Sequence, residues 1–355
     1  KNIEKPAINQ IVDMLNAEIT KDTQVRIMPD VHAGKGSTIG TTIMGEMNKV
    51  SPNIVGVDIG CGISMRKLLL SPDTIDLAKL DEVAHRVIPS GFRVHEEAQD
   101  IDVGLDKLTL SLKNEERVYQ SIGTLGGGNH YLEMAVDENG DVWLSVHSGS
   151  RGLGVSVASY HQSIADSRKD DVSQDEIDKG LAFLEGVELE NYLNDMVIAQ
   201  NYAIINRKTM LDTLISEMGW ETKVVDGFDS MHNYIDVKSN ILRKGATSAQ
   251  KGERLVIPLN MRDGSLICMG KGNSDWNYSA PHGAGRAMSR SKAKKEIDLK
   301  VYQEQMKGIY STSVVEGTLD EAPDAYKPAE EIMANITDTA SVIHHIKPIW
   351  NMKAK

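Results

Sequence analysis

Twenty of the 30 glycines fall in three windows, 34–62, 123–154 and 264–285, which together hold only 83 of the 355 residues. Glycine tolerates positive φ and lets the backbone approach another group closely, but it weakens the interiors of helices and strands. The plain reading of each window is therefore a set of tight turns joining short strands. Five of the ten histidines keep company with these windows or lie in polar, turn-like contexts: His32, His130, His147, His232 and His282. The other five (His85, His95, His161, His344 and His345) lie in ordinary amphipathic or charged stretches.

Around the windows the pattern alternates between short strands and helices. Helical apolar spacing covers 3–19 through Ile8, Ile11, Val12 and Leu15, and a strand-like Val25–Met28 follows. The run NIVGVD (53–58) reads as a short buried strand, 74–88 as an amphipathic helix with Thr74 as N-cap, and WLSV (143–146) as another buried strand. Ser173 and Glu176 form a capping box. From Val187 to Met218 the apolar positions mark a long helix with room for an interruption. Arg254–Pro258 and Ser265–Met269 pair around a turn at Arg262–Gly264, and charged helical pattern returns over 285–307 and 328–340. No repeat and no low-complexity linker divides the chain. The expectation is an α+β fold, a single catalytic domain over 1–355 with a helical excursion at about 155–220.

Composition removes several classes of function. With 40% hydrophobic and 25% charged residues the chain can bury a sizeable core. A formal charge of −12 argues against indiscriminate coating of nucleic acid, which needs many cations on one face. Two cysteines exclude a disulfide-dense scaffold. No apolar run approaches the roughly 18 residues of a membrane span and no leader is visible, so a cytoplasmic protein without membrane partners is expected. Familiar phosphate loops are also missing. GKGS at 34–37 has Pro29 where a P-loop needs its leading glycine, and no G-x-G-x-x-G follows a strand.

The chemistry concentrates in a few motifs. VDIGCG (57–62) sets Asp58 three residues before Cys61, between glycines that allow both side chains to converge. GTLGGGNHYLE (123–133) offers His130 beside Asn129 and Glu133, VHSGSRG (146–152) offers His147, and SMHNY (230–234) offers His232. A carboxylate, a thiolate and three imidazoles suit Mn, Fe, Co or Zn far better than Mg or Ca. Five donors exceed one tetrahedral site, and a shared thiolate can bridge two ions. PHGAGRAMSR (281–290) places His282 among residues with almost no side chain, which leaves its ring open to a bulky electrophile. Arg286 and Arg290 follow one helical turn apart. An exposed histidine at a capped helix start is the competing reading.

Taken in order, PDVHAGKGSTIGT, VGVDIGCG, GTLGGGNH, HSGSRGLG, HNY, RKGA and HGAGR resemble the RtcB family of RNA-splicing ligases, from IEKPAINQ to the Lys353 region. The resemblance implies an RtcB-type catalytic fold, mixed sheets with surrounding helices. It implies the joining of an RNA 3′-phosphate or 2′,3′-cyclic phosphate to a 5′-hydroxyl, in tRNA splicing or RNA repair, with GTP and two Mn2+ ions. By the same resemblance Cys61 bridges the ions, one also held by His147 and His232 and the other by Asp58 and His130. His282 becomes the guanylylated nucleophile, and Asp30 an active-site residue beside it. The guanylate pocket maps onto Asn129, His130, Tyr131, Glu133, His232, Asn233, Pro258, Asn260, Met261, Ser265, His282, Gly283, Ala284, Gly285, Tyr326 and Lys353. Arg151, Arg243 and Arg286 are candidates for RNA phosphates. The family also admits an archease-like activator.

The chain departs from the family pattern in places. IPLNMRDGS (257–265) replaces the usual glycine-containing turn, Tyr131 stands where Phe is common, and Ala354 and Lys355 follow Lys353. Every metal position and His282 is retained. The alternative activity is that of a manganese-dependent RNA cyclic-phosphate phosphoesterase that does not seal. An RNA substrate agrees with the acidic total if recognition is confined to one site supplied with Arg151, Arg243, Arg286 and the Arg290–Lys295 cluster.

Overall fold

The protein is described by a computed structural model over residues 3–354. Its largest sheet contains seven antiparallel strands: β3 (Gly62–Leu68), β4 (Tyr131–Val136), β5 (Val142–Ser148), β6 (Val224–Met231), β10 (Arg254–Asn260), β11 (Gly264–Gly270) and β13 (Ala340–Met352). They run in the order β10-β11-β13-β4-β5-β3-β6. A four-stranded sheet orders β1 (Gln24–His32), β2 (Ile39–Met44), β8 (Ile241–Lys244) and β7 (Asn233–Asp236), and β9 (Ala246–Ser248) pairs with β12 (Ser279–Pro281). Helices surround these sheets, as α+β patterning requires.

The large sheet curls until its two edges meet. Arg254 on β10 donates to Asp226 on β6 at 3.0 Å and stacks over the Phe228 ring, and the Val256 amide donates to Ser230 Oγ. Side chains alternate along each strand, so the faces separate cleanly. Ile63, Met65, Tyr131, Trp143, Val256, Ile267 and Ile346 fill the inside of the curl. On the other face Leu132, Met134, Leu144, Val146 and Trp350 pack against Met210, Leu211 and Leu214 of the helix Gly186–Glu217. His147 belongs to the inner face, directly across from both Ile63 and Tyr131.

The helical excursion is real: Arg151–Ser167, Gln174–Asp178 and Gly186–Glu217. The last is a single helix of 32 residues without a break. The capping box at Ser173 and Glu176 and the hairpin around 261–264 form as expected.

Other expectations fail locally. NIVGVD is not a strand: Pro52 opens a buried helical turn, Pro52–Val55, which Gly56 ends at φ +95°. Asp76, not Thr74, caps the amphipathic helix Leu77–Val87 by accepting from the Lys79 amide at 2.9 Å, and Thr74 sits one short turn earlier. Arg286 and Arg290 are not stacked on one helix, because helix Arg290–Glu296 begins only after Ser289 and Arg286 bridges to Tyr326. The stripe Ile8, Val12 and Leu15 faces solvent, with Ala7 and Met14 buried in its place. Strand β13, which runs through the centre of the large sheet, was invisible in the pattern. Its alternation is blurred by His344, His345 and Pro348.

A candidate two-metal site beside a shielded histidine

Five side chains from four separate segments converge at the open end of the curled sheet. Asp58 and Cys61 come from the turn after the buried helix, His130 from the glycine loop before β4, His147 from the end of β5, and His232 from the link between β6 and β7. Cys61 Sγ lies 3.3 Å from His147 Nε2 and 3.5 Å from His130 Nε2. His147 Nε2 and His232 Nε2 are 3.3 Å apart, and His130 Nε2 lies 3.0 Å from Asp58 Oδ2. The donors divide into two groups that share Cys61: Cys61, His147 and His232, and Asp58, Cys61 and His130.

Such a set fits two divalent cations on its chemistry. His130 donates its Nδ1 proton to the Leu125 carbonyl at 2.8 Å, which turns the Nε2 lone pair toward the carboxylate and the sulfur. Lone pairs that face one another across about 3 Å repel unless a proton or a cation lies between them. Protons are scarce here. Burial pushes the His147 and His232 imidazoles well below their ordinary pKa, and the neighbouring histidines push the same way. Burial and the Asp58 charge hold the Cys61 thiol well above its usual range, which a coordinating cation would reverse. At Asp58 burial works upward, but His130, Cys61 and His147 together outweigh it, and the carboxyl comes down to about 2.

The glycines are needed where these groups crowd together. A Cβ on Gly149 would fall 2.0 Å from Asp58 Oδ1, and one on Gly62 2.7 Å from the Ser230 carbonyl. The long helix holds the loops from behind. Asn206 accepts from the Gly123 and Thr124 amides and donates to the Thr124 and Gly149 carbonyls. Arg207, wholly buried, donates to the Gly60 and Ser148 carbonyls at 2.8 and 3.0 Å and to Ser64 Oγ at 3.1 Å. Neither residue was singled out from the sequence. The signal was present: both occupy core-facing positions in the stripe Ala199, Tyr202, Ala203, Asn206, Arg207, Met210 and Leu211.

His282 stands beside the metal donors, its ring centroid 4.7 Å from that of His232. It follows β12 rather than opening a helix. Asp30, fully buried at the turn of β1, accepts from His282 Nδ1 at 2.7 Å and from its backbone amide at 3.2 Å. The proton on Nδ1 leaves the lone pair on Nε2. Gly285 adopts φ +71°, and a Cβ there would lie 2.3 Å from the Asp30 carbonyl. The 283–285 turn is docked on β10 by the Ala284 amide and the Pro258 carbonyl.

A cavity of about 880 Å³ opens onto both features. Its walls include the metal donors Asp58, Cys61, His147 and His232 with His282. They also include Asn129, Tyr131 and Glu133 from the second glycine window, Asn233, and Pro258, Asn260, Met261 and Ser265 from the β10–β11 hairpin. Gly283, Ala284, Gly285, Tyr326 and Lys353 line it too, so of the positions expected to hold a nucleotide only His130 lies outside the cavity wall. Several of these side chains are committed locally. Asn233 donates to the Asp58 carbonyl and accepts from the Gly245 amide, while Asn260 accepts from the Arg262 and Asp263 amides and so builds its own turn. Lys353 donates to Glu321 at 2.7 Å, to which the Tyr326 hydroxyl also donates. Glu133 is buried with Oε1 unpartnered, and burial raises its carboxyl to about 8 against the pull of Lys353.

Three arginines expected to meet RNA phosphates are engaged elsewhere. Arg243 is fully buried and donates to Ser279 Oγ, the Tyr234 hydroxyl and the Tyr278 carbonyl, so it ties the four-stranded sheet to β12. Arg151 donates to Thr124 Oγ1 and the Gly91 carbonyl, and Arg286 to the Met288 and Asp320 carbonyls and Glu321. Arg243 is therefore removed from the phosphate contacts, because its guanidinium has no exposed edge. Lys244, unforeseen, lines the cavity with its ammonium on the Ser37 and Asn53 carbonyls; burial lowers it to about 7.

Comparison with known proteins agrees with this geometry. A family model described as "tRNA-splicing ligase RtcB" matches residues 10–110 and 101–354. The chain is 32% identical to the "RNA-splicing ligase RtcB" of Escherichia coli strain K12, over 93% of this chain and 90% of that protein. It is 29% identical to the "tRNA-splicing ligase RtcB" of Aeropyrum pernix, over 91% of this chain and 86% of that one. With a family match that spans almost its whole length and relatives covered nearly end to end, the chain belongs to the RtcB family of RNA-splicing ligases.

Proposed function

We propose that this protein is a GTP-dependent RNA ligase of the cytoplasm that joins an RNA 3′-phosphate to a 5′-hydroxyl through a histidine-linked guanylate. The observation that carries this reading is the Asp30–His282 pair at the wall of the cavity, next to two groups of metal donors. With Nδ1–H donated to Asp30, the Nε2 lone pair of His282 attacks the α-phosphorus of GTP. A P–N bond forms, the α–β bridging P–O bond breaks, and pyrophosphate leaves. An oxygen of the RNA 3′-phosphate then attacks the same phosphorus and returns the electron pair to Nε2. The 5′-hydroxyl finally attacks the RNA phosphorus and expels GMP. A 2′,3′-cyclic phosphate end is first opened by water.

Asp58, Cys61, His130, His147 and His232 would hold two manganese ions, which when bound offset charge on the crowded phosphates. The protein's own groups orient the reactants. Asp30 fixes the imidazole tautomer and opposes the positive charge that grows on the ring during attack. Glu133, with its free Oε1, suits the N1–H and N2–H edge of guanine, which adenine lacks. No helix among the described residues is long and apolar enough to cross a membrane.

The test is incubation with α-labelled GTP and manganese, followed by denaturing electrophoresis and RNA end analysis. Wild type should carry an acid-labile label, His282→Ala none, and 3′-phosphate RNA should be sealed. A label that persists in His282→Ala would refute the nucleophile. Opened cyclic ends with no joined product would identify the phosphoesterase instead.

A further inference from the structure

A second groove, of about 600 Å³, lies beside the main cavity and shares Arg290 and Glu321 with it, so an extended chain can pass from one into the other. On its wall the Phe92 ring is 96% exposed, the most exposed large apolar side chain among the described residues. An aromatic ring held out in water offers an open flat face on which a base can stack. Its backbone is held rather than loose. The Gly91 amide donates to the Gly126 carbonyl at 2.8 Å, Arg151 donates to the Gly91 carbonyl at 2.9 Å, and Arg117 donates to the Phe92 carbonyl at 2.9 Å. Arg151, expected to meet RNA directly, instead stiffens the turn that presents this ring.

Three cations, Arg93, Arg290 and Lys294, share the groove wall with the carboxylates Asp320 and Glu321. Arg93 is exposed, and Arg290 and Lys294 keep 46% and 50% of their side chains exposed, with only long contacts of 3.4–3.8 Å to Asp320 and Glu321. Glu321 is already neutralised by Lys353. A flat ring on a fixed turn beside spaced cations is the arrangement that holds single-stranded nucleic acid, the base on the ring and phosphates on the cations.

We infer that this groove guides the RNA strand into the ligation site, with Phe92 as the platform on which an unpaired base near the break stacks and Arg93, Arg290 and Lys294 as its phosphate contacts. This rests on the ligase reading and adds to it a positioning residue for the RNA. A protein partner on the same face is the competing occupant.

The experiment measures binding of a 12-nucleotide single-stranded RNA with a 3′-phosphate by fluorescence anisotropy, with self-guanylylation by labelled GTP, which uses no RNA, measured on the same preparations. Phe92→Ala should weaken RNA binding roughly 5- to 100-fold, the loss expected for one stacked base. Phe92→Trp should bind as well as wild type or better, and should show Trp quenching on RNA addition beyond that of wild type. Abasic substitutions near the 3′ end should erase the difference between wild type and Phe92→Ala. An affinity in Phe92→Ala within twofold of wild type, with guanylylation intact, overturns the proposal and leaves the ring to a protein partner. If wild type neither guanylylates nor seals, the failure belongs to the ligase reading instead.

Discussion

Replacing Asp30 by Asn tests the heart of the site with minimal change of shape. Oδ2 accepts both from the His282 ring at 2.7 Å and from the His282 amide at 3.2 Å, so the amide oxygen of Asn should take that position and preserve the tautomer. The NH2 group then falls on the Oδ1 side, which is buried and has no partner. What disappears is the negative charge. At an effective dielectric of about 20, two unit charges 2.7 Å apart interact by about 6 kcal/mol. The imidazole charge is spread over two nitrogens and is only partly developed when the P–N bond begins to form. About half of that energy, ~3 kcal/mol, should therefore be lost from the transition state, which slows guanylylation on the order of 100-fold. Single-turnover labelling with α-labelled GTP at saturating manganese reads this rate directly. Asp30→Ala should be slower still, because it also frees the ring to rotate. A rate in Asp30→Asn within threefold of wild type, at equal manganese content, would refute the charge-compensation argument.

Four further outcomes follow from the same geometry. Cys61→Ala should reduce bound manganese from two ions to less than one per chain, measured by elemental analysis of the dialysed protein, because both donor groups share that sulfur. Gly149→Ala and Gly285→Ala should separate the two halves of the site. The first drives a methyl into Asp58 and should lose metal while His282 stays in place, whereas the second displaces Asp30 and should lose guanylylation with metal content kept. Arg207→Met leaves the buried Gly60 and Ser148 carbonyls without their donor and should cost roughly 2–6 kcal/mol, about 1–3 for each, read as a fall in denaturation midpoint. Glu133 gives a pH signature: burial raises its carboxyl to about 8, against about 4.3 when unfolded. Between those values the folded chain keeps a proton that the unfolded chain has released, so nucleotide-free stability falls as pH rises through the window. Glu133→Gln removes that dependence, and its Tm advantage over wild type should grow from pH 5 to pH 8.5; an advantage constant with pH would contradict the assignment.

What the sequence made legible was mainly the residues whose role depends on their own type. The glycine windows predicted tight turns, and Gly62, Gly149 and Gly285 sit where a Cβ would strike a neighbour. His130, His147 and His282, inside those windows, meet in space together with His232, which lies in a polar turn outside them, whereas His161 is a core residue paired with Asp195 at 2.8 Å. Less legible was anything that depends on which face a side chain takes. NIVGVD has strand composition, but Pro52 and the glycine at 56 make it a helical turn. Strand β13 stayed hidden because its first half is largely exposed and His344, His345 and Pro348 break the alternation before the buried second half. Asn206 and Arg207 could have been found only by asking why two polar residues occupy the buried stripe of a long helix.

Charge was the poorest guide of all. A total of −12 argues against indiscriminate coating of nucleic acid, and the sequence places arginines near the site to offset it. The structure shows that Arg207 and Arg243 are wholly buried, and that Arg151 and Arg286 donate to the protein's own carbonyls and side chains. These cations brace the loops; they do not advertise positive potential to the solvent. The solvent-exposed cations lie farther out, at Arg93, Arg290 and Lys294, with two groups of candidate metal donors at the centre. A site built in this way binds a strand end through a few placed contacts, and its affinity should therefore fall only shallowly with salt. A log–log slope of about −2 corresponds to the three exposed cations on a single strand, whereas a slope of about −5 would mean that Arg151, Arg207, Arg243 and Arg286 also reach phosphate.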